Sequence, residues 1–448
     1  MAQTLSNDIR AALNRDVPAA ASGDVLVAFS GGLDSTVLLE ALADSGRRVR
    51  AVHVNHQLHP DAGRWLAHCE ASARTLRIEF SAQTVEVPVD LDEGVESAAR
   101  RVRYDALRAM LRPDETLLTA HHADDQLETV LLALMRGSGV DGLAAMPRCQ
   151  RFGAGWHVRP LLSFTRDELG AWAHEHNLEW LDDPSNDSTR FDRNYLRAAV
   201  VPRLRERWPS AARAAVRTAA HLGEAARLLD DMAAHDFAAA TLGACLSVAA
   251  LESLEPARRR NLLRYWLHSC GARAPSTRKL AALEHDMLCA DDDRTPCVAW
   301  GEVEVRRHRG LLYCTPRVPD RVEGDIAWSW ATPVVLASGS GLLRAEIAHG
   351  RGLARAKLPE KLTIGARRGG EWLRLPGHRH RRQLKKLLQE ANVLPWWRDR
   401  LPLVFAGEAL VAVADLWISA EFAASEGEAG VCIVWDERPP IEAQKSSR

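Results

Sequence analysis

The sequence predicts an α/β protein. It reads as a doubly wound, mostly parallel sheet, then an all-helical domain, then a small mixed α/β C-terminal domain. Three observations carry this. Between residues 25 and 135, short apolar runs alternate with segments of helical spacing, the pattern of βαβ units. From 210 to 290 the alternation stops, and Ala, Leu and Arg recur at helical spacing. After 362 strand and helix patterns return within a short stretch. The implied domains are residues 1–212, 213–318 and 355–438, and a chain of 448 residues suits about three domains at roughly 150 residues each.

Taken in order, residues 1–22 have the Ala-rich spacing of a leading helix. Residues 25–29 are an apolar run bounded by Gly23 and Asp24 on one side and by paired glycines on the other, as in an interior parallel strand. Ser30, Gly31, Gly32, Leu33, Asp34 and Ser35 make the turn, and Val37, Leu38, Leu39 and Leu42 give the next helix its buried face. Strands follow at 49–53, 80–87 and 116–120, and helices at 64–77, 96–111 and 122–135. Further on, strands are expected at 303–307 and 311–314, an amphipathic helix at 383–391, and a hairpin of 403–405 with 410–413 around Gly407. The polar tail after Pro439 is expected to be disordered.

Composition narrows the class. Hydrophobic content of 46% with 26% charged residues fits a soluble globular protein. No apolar run is long enough to span a bilayer, and the first sixteen residues carry both signs of charge, unlike a signal peptide. No membrane partner is expected. The eight cysteines never form C-x-x-C, which argues against a zinc ribbon or a disulfide framework and for the reducing cytoplasm. A net charge of −1 does not by itself suggest nucleic acid. However, the positive charge is mostly arginine in clusters, and its planar fork grips phosphate.

The chemistry starts at the glycine turn. A strand turning directly into a helix leaves N–H groups pointing outward, and Gly31 and Gly32 let an anion approach the backbone. This is a phosphate cradle, but no Gly-Lys-Ser/Thr follows the glycines, and Lys279 is the first lysine in the chain. Backbone amides, arginine and a metal ion must meet the charge, and Asp34 is placed to hold the metal. The competing reading is an ordinary glycine turn. His121, Asp124, Asp125 and Glu128 have the spacing of one helix face, beside His122. Acids there could simply start a helix well, but hard oxygen ligands also suit Mg²⁺, and acids suit a cationic amine. Glu96 with Arg100, Arg101 and Arg103, and Arg193 with Arg197, have helical spacing and could be solvated faces. The same holds for the densest basic cluster: Arg374, Arg379, Arg381, Arg382, Lys385 and Lys386, with His378 and His380.

SGGLDS with a strand before and a helix after resembles the PP-loop of the ATP pyrophosphatases. The series SGGLDS, HVNHQLH, ESAARRVRY, TAHHADDQLETVLLALMRGSG, RPLL, DDPSN and FDRNYLR, in this order, resembles the tRNA(Ile)-lysidine synthase family. So do RRGGE, LKKLLQE, PW and RLPL in the C-terminal part. One departure is Ala145, where the resemblance leads us to expect glycine; it reads as a mild packing change. The resemblance implies that a wobble cytidine of an isoleucine tRNA is adenylated on its ring oxygen with release of pyrophosphate. Free L-lysine then displaces AMP. It implies ATP and Mg²⁺; Ser30, Gly31, Gly32, Leu33, Asp34 and Ser35 at the phosphates; His53 and Asn55 at the adenine. It implies Asp34 and Asp125 at the metal, and Asp124 and Glu128 at the lysine ammonium. His121 or an adjacent carboxylate would take the proton of the amine. Arg101 and Arg193 would serve the chemistry, and Arg197 with the C-terminal basic cluster would bind tRNA. Monomer and homodimer both stay open. So do a PP-loop tRNA thiolase, although residues 1–212 hold only Cys69 and Cys149, and a non-catalytic nucleotide-binding module.

Overall fold

The computed structural model describes residues 2–17, 23–43, 45–56, 62–88, 95–182, 191–291, 294–317, 324–336 and 341–442. The chain forms two compact units, Met1–Leu229 and Asp230–Arg448.

The first unit is built on a six-stranded sheet of order β3-β2-β1-β4-β6-β5. Its strands are β1 (Val25–Ala28), β2 (Val49–Asn55), β3 (Glu79–Thr84), β4 (Thr116–Leu118), β5 (Cys149–Phe152) and β6 (Gly155–Val158). All pairings are parallel except β5 with β6. Both faces are covered, and the side-chain period of two shows it. Val25, Val27 and Phe29 pack on one face with Ile9 and Leu13 of α1 (Ala2–Asp16), Leu38 and Leu42 of α2 (Leu33–Ala43), and Trp172. Leu26 and Ala28 pack on the other face, with Leu107 and Leu111. The order reverses beside β1. Parallel sheets of this kind hold ligands at the carboxyl ends of the strands, at such a switch point.

The remaining helices of this unit are α3 (Ala62–Thr75), α4 (Val95–Met110), α5 (Ala123–Met135), α6 (Val140–Leu143), α7 (Arg166–Glu175), α8 (Asp192–Tyr195) and α9 (Val201–Arg207). A π-helical turn, Leu196–Val200, joins the last two. α10 (Ala211–Ala240) begins in this unit. Ala145 has a φ of +53°, the left-handed region where a Cβ costs about 1–2 kcal/mol. The departure from glycine therefore costs backbone strain rather than packing.

The second unit departs from expectation in its first half. Residues 210–290 do carry helices: α11 (Val248–Glu252), α12 (Pro256–Ser269) and α13 (Thr277–Leu288) follow α10. But the region is not all-helical. The strands β7 (Thr241–Leu242) and β8 (Cys245–Ser247) join β9 (Cys297–Trp300), β10 (Val303–His308) and β11 (Leu311–Pro316) in an antiparallel sheet of order β7-β8-β11-β10-β9. Two- and three-residue strands are too short to show a period, so they were illegible among helical neighbours.

The C-terminal sheets draw in strands from before residue 355. β12 (Ile326–Trp328) pairs with β16 (Leu362–Gly365). β14 (Leu342–His349) pairs with β13 (Val334–Val335) and, along its whole length, with β22 (Ala429–Asp436), which also takes β15 (Leu353–Ala354). β17 (Trp372–Leu373) and β18 (Arg382–Gln383) form a short ribbon leading into α14 (Leu384–Glu390). The expected hairpin is β19 (Leu403–Ala406) with β20 (Ala409–Val413), followed by β21 (Trp417–Ile418). Trp396 and Trp397 lie in this core at 7% and 3% exposure, which makes them packing residues. The tail is ordered further than expected. Ile441 is buried and its carbonyl accepts from the Leu394 N–H; residues 443–448 lie outside the described residues.

Candidate active site

β1 is wholly buried, and the chain leaves it through Ser30, Gly31 and Gly32 to enter α2 at Leu33. Gly31 has a φ of +81°, and a Cβ there would meet Cys69 Sγ at 2.9 Å. Only glycine fits both limits. Hydroxyls brace the turn: Ser30 Oγ and Ser35 Oγ are 3.0 Å apart, and Ser35 Oγ and Thr36 Oγ1 each donate to the Gly32 carbonyl at 3.0 Å. The first N–H groups of a helix have no intrahelical acceptor, so those of Leu33 and Asp34 are available to an anion. Behind the turn, Leu181 N–H donates to the Gly31 carbonyl. There an open cleft of about 770 Å³ is lined by Arg64, His68, Glu179, Trp180, Leu181 and Asp182, among others.

The neighbouring strand end, after β4, brings up the acid cluster. His122 is the N-cap of α5: its Nδ1 accepts from Asp125 N–H at 3.4 Å, and its own N–H donates to Asp125 Oδ2 at 3.0 Å. His121 is thus outside the helix, not on the face it was expected to share with Asp124, Asp125 and Glu128. Nε2 of His122 lies 3.6 Å from Asp34 Oδ2 and 3.4 Å from Asp125 Oδ2, which joins cradle and acid cluster. Burial opposes a charge on His122, but Asp125, Asp34 and Asp124 raise its pKa above the usual histidine value. Burial likewise opposes charge on Asp125, yet His122 and Arg193 hold it well below the carboxylate range.

Two arginines close the cluster. Arg193 Nε donates to Glu128 Oε2 at 2.7 Å and Arg197 Nε to Glu128 Oε1 at 2.8 Å. Both also reach Asp125 Oδ1, at 3.1 and 3.3 Å. The π-helical turn holds Arg197 here, and such turns recur at functional sites. Glu128 has a side chain only 1% exposed and both oxygens occupied. It therefore seats two arginines on the carboxylate that was expected at the lysine ammonium. Asp124 differs. Its Oδ2 accepts from Arg166 N–H at 2.9 Å, while its buried Oδ1 has no hydrogen bond and Arg205 Nη1 lies 3.7 Å from it.

His53 is buried at the end of β2, its Nδ1 3.0 Å from the Phe29 carbonyl, and burial lowers its pKa. Asn55 ends the same strand, half-buried. On α4, Arg100 and Arg103 are near enough to His121 to disfavour its charge, and Arg100 lies over Tyr104 at 5.1 Å. Arg100 and Arg101 are both exposed, and Arg103 is half-buried. Sequence reasoning also missed Thr119, His157 and Arg159; the RPLL motif that contains Arg159 was visible, but its tie to His121 crosses strands. Residues 183–190, which hold all but the first residue of the DDPSN motif, lie outside the described residues.

In the second unit, α14 buries Leu384, Leu387 and Leu388, which turns Lys385 and Lys386 outward. Arg379 and Arg381 are exposed, and Arg381 bonds Glu421 at 2.7 Å. Arg382 pairs with Glu390, and Arg374 is half-buried. Trp372, on β17 of the same ribbon, is 52% exposed.

Cradle, switch point and acid cluster together define a PP-loop nucleotide-binding protein, and residues 1–204 match the family described as a PP-loop domain. ATP use goes with that family. Residues 246–313 match the TilS substrate binding domain and residues 362–435 the TilS substrate C-terminal domain. A tRNA(Ile)-lysidine synthase of Methylococcus capsulatus is 41% identical over 91% of this chain and 95% of its own length. One from Alkalilimnicola ehrlichii is 43% identical over 91% and 92%, and one from Coxiella burnetii 39% over 90% and 91%. The chain belongs to the tRNA(Ile)-lysidine synthase family. Among the described residues, no helix is long and apolar enough to cross a membrane.

Proposed function

We propose that this protein joins free L-lysine to the wobble cytidine of an isoleucine tRNA in two steps at the β1–β4 crevice. In the first, the ring oxygen of the cytidine attacks the α-phosphorus of ATP and pyrophosphate leaves. In the second, the lysine amine, having shed a proton, attacks the ring carbon, and AMP departs with the oxygen. The observation that supports this reading is the join through His122: a phosphate cradle and an acid–arginine cluster meet within 3.6 Å.

The residues divide the work. The Ser30–Ser35 turn and the start of α2 hold the pyrophosphate portion. Arg193 and Arg197, fixed by Glu128 and still 22% and 29% exposed, face the charge that develops on the phosphates. His53 and Asn55 border the adenine. Asp124 meets the lysine ammonium with its unbonded oxygen.

Mg²⁺ fits beside the cradle. Asp34 Oδ1 is buried without a hydrogen-bond partner, and Mg²⁺ takes one or two carboxylates together with phosphate oxygens and water. Asp34 would hold it, with Asp125 adjacent across His122; bound there, it neutralises charge on the leaving pyrophosphate. The exposed cations of the second unit (Arg379, Arg381, Lys385 and Lys386, with Arg374 and Arg382) contact the tRNA backbone. A homodimer is compatible with these roles, and none of them requires it.

The test is incubation with ATP, Mg²⁺, an isoleucine tRNA bearing a wobble cytidine, and labelled lysine, followed by digestion and nucleoside mass analysis. One ATP-dependent labelled cytidine, absent with a methionine tRNA, is expected. A thiolated nucleoside, or no modified base, would overturn the reading.

A further inference from the structure

Four polar side chains beside the crevice have no place in the scheme above, and they form one line. Arg159 Nη2 is 3.2 Å from His157 Nδ1. His157 Nε2 is 2.8 Å from Thr119 Oγ1. Thr119 Oγ1 is 2.8 Å from His121 Nδ1. His157 is fully buried, with ring centroids of Tyr104 and Phe152 each 5.7 Å from its own, and Arg159 is also anchored through Nη1 to the Pro147 carbonyl at 2.7 Å.

The chemistry of each group gives the line a direction. A guanidinium has donors and no acceptor. His157 Nδ1 must therefore accept, so its ring proton sits on Nε2. That proton is donated to Thr119 Oγ1. A hydroxyl has one proton of its own, and among the described residues the remaining partner of Thr119 Oγ1 is His121 Nδ1. Thr119 therefore donates to His121, whose Nδ1 accepts and whose ring proton sits on Nε2. Surroundings agree with neutral rings. Burial, with Arg159, Arg100 and Arg103, pushes His157 down to about 3. Burial and the same three arginines keep His121 well below its ordinary value, against the pull of Asp125.

We infer that Arg159, His157 and Thr119 are positioning residues that lock His121 as the neutral imidazole with its proton on Nε2. On the two-step reading above, His121 then enters the reaction as a hydrogen-bond donor to a phosphoryl oxygen. With one nitrogen filled and the other protonated, His121 has no lone pair for the lysine amine. The expectation that it serves as general base is replaced, and that proton goes to Oδ1 of Asp124, a carboxylate oxygen without a hydrogen bond.

Long-range ¹⁵N–¹H correlation spectra of the full chain labelled with ¹⁵N-histidine read the tautomer without any turnover. They therefore test this inference even if the reaction assigned above is wrong. His121→Gln and His157→Gln assign the two rings. Both rings are expected as pure Nε2–H forms near neutral pH, and Thr119→Val is expected to turn His121 into a tautomer mixture while Thr119→Ser keeps it. A wild-type His121 carrying its proton on Nδ1, protonated on both nitrogens, or already mixed would overturn the inference. Kinetics add a second arm. His121→Gln keeps an N–H near the Nε2 position, so its adenylation rate should exceed that of His121→Ala by about tenfold or more, the worth of one hydrogen bond to a charged group. Equal loss in the two variants would count against a donor role. Thr119→Val should lower kcat, leave the KM for ATP unchanged, and be rescued by Thr119→Ser.

Discussion

Two arginine-bearing regions of the described chain, the crevice and the C-terminal cluster, treat positive charge in opposite ways. In the crevice, Arg193 and Arg197 rest on Glu128 and Asp125, whose side chains are 1% and 13% exposed. In the C-terminal cluster, Arg379, Lys385 and Lys386 are open to solvent. Charges withdrawn from water must be answered by partners, and the partners fix their geometry. Charges left in water contribute little to folding, yet remain available to a phosphate backbone. Damage to the first region should therefore harm chemistry and folding, and damage to the second should harm tRNA affinity alone.

The largest effect is expected at Asp34. Its packing role is small, its side chain being 28% exposed with His122 at 3.6 Å. Asp34→Ala should slow pyrophosphate release by about 10³-fold, roughly 4 kcal/mol, with an unchanged Tm. Wild-type release would remove Asp34 from the metal site. Next comes Glu128→Ala, which strands two arginines. Breaking a buried pair costs about 3–5 kcal/mol, so calorimetry should show a lower Tm for the transition of the first unit while that of the second stays put. An unshifted first transition would mean that the arginines find other partners and that the contrast between the regions is false. The smallest effect on folding is expected for Arg379→Ala, Lys385→Ala and Lys386→Ala combined. Tm should not move, while the slope of log affinity for tRNA against log salt should flatten by about 2, from roughly 0.7–0.9 per phosphate contact. Unchanged tRNA affinity in this variant would reduce the cluster to a solvated face.

How much was legible in the sequence follows the same physics. The strand, turn and helix around Gly31 were readable because burial and backbone geometry are local. The acids after β4 were readable as a group, but the pairing of Glu128 was not, since only the fold brings Arg193 and Arg197 onto it from 65 and 69 residues away. Spacing alone did not separate Arg100, Arg101 and Arg103, because it does not say which face of α4 meets the sheet. β7 and β8 were missed because they are too short to show a period, and because the partner that ties β8 into the sheet, β11, lies beyond three helices. Ala145 was misjudged because φ is not visible in a residue name.

Two successive reactions share one crevice, and separating them is the most direct test of the adenylated intermediate. Withhold lysine and supply ATP labelled at the α-phosphate, Mg²⁺ and the isoleucine tRNA, then isolate the RNA. Label should appear in the tRNA with one pyrophosphate released for each, and adding unlabelled lysine should chase it out as AMP. Pyrophosphate release that requires lysine, or label that never enters the RNA, would contradict the adenylated intermediate and the division of roles built on it.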